Sequence, residues 1–405
     1  MIKTWNGVRR IAFIPVWNNQ VDFEPPANWT ELIQARAFYD PDAASGLDLS
    51  LQRYLQIMSS GRAHIEGAVF PVVEASDDDT MGAALNSLPS NHGYDLAVAV
   101  LPHSTGPHRG GFAWMGGAAV NGVSDFARVA MFDDRELGRT QNIGVWAMEV
   151  LHIVTYFGDL YNVSPQLNRF DVMACGCGTH PSAHTKSHIG WLSSNAIKVH
   201  PLGKTKNYTL HAVSLFQPAP SWRATAVRIE SKNGPGHFLV ECRLTIDEYD
   251  GSSAVSQGIV SEGVIVYEVQ GETEVYLKTP TALRAGEKFE DESEDLIISV
   301  TESAANGFVI QVKSKGKNRC VQLFEQIKSI KLSLEVENDF FRRKQLIAEL
   351  ARTQEKYRAL HCLVLENPAT EVVLTSAVAS LSEPQKKSED VEQPTKSKCD
   401  KKNKV

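Results

Sequence analysis

Trp146-Ala147-Met148-Glu149-Val150-Leu151-His152, followed by Gly158-Asp159-Leu160-Tyr161, is the stretch on which the reading of this chain turns. It has the spacing of an H-E-x-x-H helix, in which two histidines four apart share a face and bind zinc while the glutamate serves as general base. Glu149 and His152 stand where that chemistry needs them, but Met148 occupies the first ligand position. A thioether is soft and neutral; it suits Cu(I) and serves zinc poorly. Working outward, the question becomes whether a metal-dependent hydrolase fold still carries its chemistry.

Downstream lie Asp171-Val172-Met173, then Gly178-Thr179-His180-Pro181-Ser182-Ala183, Lys186 and Gly190-Trp191-Leu192. Upstream, Leu96 to Leu101 reads as a buried strand and leads into a glycine-rich run from Gly106 to Gly122. Val8 to Val16, the segment from Ser50 to Val69, and the β-rich stretches around His237 to Arg243 and Gly263 to Tyr267 complete the order. Over roughly residues 8 to 315 this order resembles the immune inhibitor A-type bacterial zinc metallopeptidases. The resemblance implies a zincin-like α/β domain, a Met-turn at Met173 packed beneath His152, and a β-sandwich after the catalytic part. It also implies zinc as cofactor, held by His152 and Asp159, with Glu149 as general base.

The motif departs from that family at three places. Met148 replaces the first histidine, Thr155 replaces the glycine that lets the chain turn toward the third ligand, and the segment from His152 to Asp159 is one residue longer. His180, His184 and His188 form an H-x3-H-x3-H run, and residues four apart share a helix face, so this run is the local source of substitute ligands. His103 and His108 stand in the loop after the Leu96 strand and read as ordinary loop residues, with cleft lining as the alternative. Cys175 and Cys177 are read as thiols of a reducing compartment, with metal ligation as the alternative. The Asp247-Glu248-Tyr249-Asp250-Gly251 cluster lacks the full ligand rhythm of a calcium loop and reads as a solvated turn.

With 405 residues the chain exceeds one typical domain, and 42% hydrophobic with 22% charged residues is ordinary globular composition. A net charge of -7 without a basic, aromatic-studded stripe speaks against nucleic acid. The apolar runs are too short for a membrane span. The N-terminus, Met1 to Gly7, lacks the apolar core and cleavage site of a signal peptide, so a cytoplasmic protein is expected, or a secreted one if a leader has been removed.

Periodicity divides the chain into four parts. Residues 1–195 alternate strand and helix patterns, with the site helix over 141–157. Residues 196–316 are short β-branched and aromatic runs of an all-β sandwich. Residues 317–365 show the 3-4 spacing of an amphipathic helix or helical hairpin, a surface suited to oligomerisation, and 366–405 read as a disordered tail. The functional expectation is a peptide- or protein-binding pseudoprotease with a degenerate zinc site. The alternative is an active zinc endopeptidase completed by a substitute ligand.

Overall fold

The computed structural model describes residues 2–20, 22, 24–39, 49–75, 79–103, 111–132, 143–215, 222–253, 256–314, 319–337 and 340–359. The 366–405 tail and His108 lie outside the described residues. The chain forms two compact units, residues 1–318 and 319–405.

The first unit opens with β1 (Gly7–Trp17), α1 (Trp29–Ala37), α2 (Leu51–Met58), β2 (Ala63–Val69), β3 (Val73–Glu74), α3 (Thr80–Ser87) and β4 (Leu96–His103). It continues with β5 (Phe112–Trp114), β6 (Phe126–Phe132) and α4 (Ile143–Thr155). The strands make a six-stranded sheet of order β2-β1-β4-β6-β5, with β3 extending beside the end of β1. All neighbours run parallel except β5, which pairs antiparallel with β6 and forms one edge. Every residue of β4 is buried, because helices cover both faces of a central parallel strand. Asp79 caps α3 by accepting from Gly82 N at 2.8 Å, the role its place before an apolar helix foretells.

After α4 come two short helices, α5 (Val172–Cys175) and α6 (Ala183–His188). Then β7 (Ile197–His200), β8 (Thr205–His211), β9 (Ala226–Glu230), β10 (His237–Arg243), β11 (Gly263–Val269) and β12 (Val275–Leu277) lead into β13 (Lys288–Asp291), β14 (Leu296–Ala304) and β15 (Gly307–Ser314). They form sheets of order β12-β11-β10-β9-β7 and β13-β14-β15-β8. Val240, Val264 and Val266 from the first pack with Ile298, Ile310 and Val312 from the second. Three of these strands, β7, β12 and β13, are too short or too polar to stand out in the sequence.

Residue 195 does not separate two cores. One continuous apolar cluster runs from Trp5 and Phe13 through the whole of α4 to Ile265, Tyr267 and Leu277. α6 lies at this junction, and a buried ionic network ties it to the sandwich. Arg243 of β10 is fully buried; it donates to Asp250 at 2.8 Å, to the Phe170 carbonyl at 2.6 Å and to the His180 carbonyl at 3.1 Å. Glu241, two residues before it on the same strand face, accepts from Ala183 N and the Tyr267 hydroxyl, both at 2.7 Å. Asp171 takes hydrogen bonds from Met173 N, Ser182 N and the Thr185 hydroxyl. The Asp247–Gly251 turn is therefore not solvated, as its composition suggests. Asp250 and Tyr249 are fully buried, because Arg243 inside the protein demands a carboxylate partner.

The second unit holds α7 (Arg319–Val336) and α8 (Phe340–Ala359). Leu323 and Ile327 of α7 are buried with Leu350 of α8 against them, so the amphipathic segment forms a helical hairpin.

Candidate functional site

α4 carries the site and is buried along nearly its whole length. Gly144 allows the 176–178 loop to lie flush on its first turn; a Cβ there would stand 2.0 Å from Gly178 N and 2.2 Å from the Gly176 carbonyl. In that loop Cys175 and Cys177 are joined as a disulfide. This corrects the expectation of free thiols and removes both sulfurs from any ligand set. Local geometry decides it, since the αL cap at Gly176 folds the two cysteines back on each other.

Met148 and Glu149 are each only 6% exposed. The chain before β5 passes directly over Glu149, for a Cβ on Gly111 would lie 2.3 Å from its Oε1. Burial pushes the Glu149 carboxyl up to about 7, the positive charge of His152 opposing this and the negative charge of Asp159 adding to it. His152 Nδ1 lies 2.6 Å from the Phe157 carbonyl and Nε2 lies 2.9 Å from Asp159 Oδ1. Burial alone would lower the His152 pKa, but the Asp159 hydrogen bond and the charges of Glu149 and Asp159 raise it overall. Burial would raise Asp159, yet its bond and charge pairing with His152 hold it below the usual carboxylate range. Burial and the Asp159 bond push the Tyr161 phenol up to about 12.

These shifts carry a testable consequence. In metal-free protein the folded-state pKa of Glu149 lies above its ordinary value of 4.5, so the folded state holds that proton more tightly. The associated stability is fully present below about 4.5 and is lost as pH rises through about 7. Glu149→Gln is expected to flatten this loss and to stabilise the protein above that range by on the order of 3 kcal/mol. Urea unfolding in EDTA at about pH 5 and about pH 8 reads the difference; equal pH slopes for both proteins would refute the assignment. His152 is raised partly by the Glu149 charge, so Glu149→Gln also lessens the His152 shift and flattens the pH dependence in the same direction.

The turn to Asp159 is made without a glycine at position 155. Thr155 ends α4 with its hydroxyl bonded to the Leu151 carbonyl at 2.6 Å, and Tyr156 takes the left-handed conformation at φ 61°. Asp159 thus reaches His152 despite the extra residue. Met173 is fully buried, and its carbonyl accepts from Leu160 N at 2.9 Å, placing α5 beside the Asp159 segment.

His180, which precedes α6, and His184 and His188 on it do not join this group, so the run is not one helix face. His180 donates Nε2–H to Asp247 at 2.6 Å, and its Nδ1 faces Lys186 Nζ at 3.3 Å, so both nitrogens serve the junction network. His184 Nε2 bonds the Glu272 carbonyl at 2.8 Å, and His188 Nδ1 bonds the His184 carbonyl at 2.9 Å. The Phe157 ring stands against both, 5.9 and 5.8 Å away. Among the described residues no group of three His, Cys, Asp or Glu could hold a metal ion. His103 pairs with Asp22 at 3.0 Å in the interior.

Sequence reasoning placed a strand in the glycine-rich run before residue 122 but gave its aromatics no role. Phe112 and Trp114 of β5 are 43% and 48% exposed, with Met115 beside them. Trp114 stacks on Phe126 and Arg128 lies over Phe112, so these aromatics are braced. The F-A-W alternation was the available signal, hidden by the surrounding glycines. Comparison with models of known protein families finds no match, and comparison with curated proteins finds none. Among the described residues no helix is long and apolar enough to cross a membrane.

Proposed function

We propose that this chain is a peptide- or protein-binding pseudoprotease, a metallopeptidase-like fold whose cleft takes an extended segment without hydrolysing it. The carrying observation is at His152. Both ring nitrogens face oxygen acceptors, so zinc must displace a proton to bind, while Met148, one turn earlier on the same helix face, supplies a poor ligand beside them. A proton shared with Asp159 takes the place that a metal would fill. The braced aromatic edge next to Glu149 supports the binding half of the reading: an unpaired strand edge recruits an extended chain through its backbone, and flanking side chains select it.

One observation favours the alternative of an active zinc peptidase. A carboxyl tuned to about 7 is well matched to general-base work near neutral pH. Fluorescein-labelled casein separates the two. The expected result is a rise in anisotropy without fragments, with binding weakened about tenfold by Trp114→Ala, 1.4 kcal/mol. Zinc-dependent fragmentation that disappears in Glu149→Gln would establish the enzyme instead.

A further inference from the structure

A cavity of about 550 Å³ opens between α6 and the β9-β10-β11 face. Its wall includes His184, His188 and His237 together with Arg228, Leu239 and Val269. The pseudoprotease reading makes no use of this cavity.

The hydrogen bonds fix what the first two imidazoles present. A carbonyl can only accept, so His184 donates through Nε2 to Glu272 and His188 donates through Nδ1 to the His184 carbonyl. The lone pairs then reside on His184 Nδ1 and His188 Nε2, neither of which has a hydrogen-bond partner among the described residues. The two rings are four residues apart on one helix, with centroids 4.3 Å apart. Two acceptors on adjacent rings, with no hydrogen-bond donor to either among the described residues, can share an electrophile. An anion is the wrong occupant for such a pair. The nearby guanidinium of Arg228 is already matched by Glu230 at 2.8 Å, so it neither recruits an anion nor stands uncompensated against a cation.

We propose that His184 and His188 bind a divalent d-block cation of the zinc or copper type. Neutral imidazole suits these ions, and ligating histidines characteristically donate their other N–H to a carbonyl, as both do here. His188 is exposed, so the ion can enter from solvent, and water completes the coordination. His237 of β10 lines the same cavity but does not complete a three-residue ligand group, so the site is a two-imidazole one. An ion held there sits one side chain from the candidate site, since the Phe157 carbonyl takes the His152 proton while its ring packs on this pair. The two sites share no ligand.

The test uses the full chain stripped with EDTA and titrated with Cu(II) alone, then with Zn(II) alone, by calorimetry and, for copper, by EPR. One equivalent with nitrogen hyperfine structure from at least two imidazoles is expected, copper binding more tightly than zinc. His188→Ala and His188→Gln are each expected to weaken binding at least tenfold, about 1.4 kcal/mol. The glutamine variant retains a donor toward the His184 carbonyl, and unchanged thermal unfolding without metal verifies that both variants are folded. Asp159→Asn is expected to leave the affinity unchanged. Equal binding by wild type and both His188 variants, no binding by wild type, or loss of binding in Asp159→Asn overturns the proposal.

Discussion

Met148→His is expected to raise zinc affinity of the candidate site at least tenfold, about 1.4 kcal/mol. Histidine there would face the same side of α4 as His152, and Asp159 already stands 2.9 Å from that ring. Three donors then converge, the number that catalytic zinc sites use, with Glu149 placed to act on a bound water. Zinc displaces the proton between His152 and Asp159, so binding should release a proton and strengthen as pH rises. Calorimetry in the His188→Ala background keeps the second proposed metal site out of the measurement. Because Met148 is 6% exposed, the new imidazole must fit within a packed helix face. Equal, weak zinc binding before and after the change would mean that the cleft has lost zinc geometry, leaving ancestry as the sole link to catalysis.

Arg243→Ala is expected to cost about 3–5 kcal/mol of stability, because it strands two buried carboxylates. Glu241 and Asp250 both have fully buried side chains, and Arg243 bonds to each. The same guanidinium holds the Phe170 and His180 carbonyls, so its loss loosens α6 from the sandwich as well. The combined change Arg243→Met, Glu241→Gln, Asp250→Asn should recover much of the loss, since replacing a whole ion cluster with neutral groups avoids stranding any charge. Urea unfolding measures both. A loss below about 1 kcal/mol for Arg243→Ala would show that water, and not the guanidinium, satisfies these carboxylates.

The reading of α4 depended on spacing alone, and spacing is a local property. Glu149 and His152 are three residues apart, and Ile143 to Thr155 is apolar enough to be a buried helix, so the element and its polar pair were visible before any coordinates. The same holds for β1, β4, β6, β11, β14 and β15, whose runs of Val, Ile and Phe mark strands, and for the Asp79 cap. Other features were legible only in part. Glu241 and Arg243 sit two apart on a buried strand, which points an ion pair inward, yet nothing in the sequence reveals that Asp250 and Asp171 meet them.

Local sequence determined most of the helices and the longer strands, the spacing of Glu149 and His152 on α4, and the amphipathic character of α7 and α8. Tertiary structure decided which histidine does what. His152, His180, His184 and His188 are alike in a string of letters. Their chemistry differs because a Phe157 carbonyl and Asp159 claim both nitrogens of the first, and Asp247 and Lys186 claim both of the second. Carbonyls hold one nitrogen of each of the last two and leave the other open. An imidazole acts as ligand, cation or strut according to the partners facing its two nitrogens. Those partners arrive from segments up to 88 residues away, beyond the reach of any local pattern.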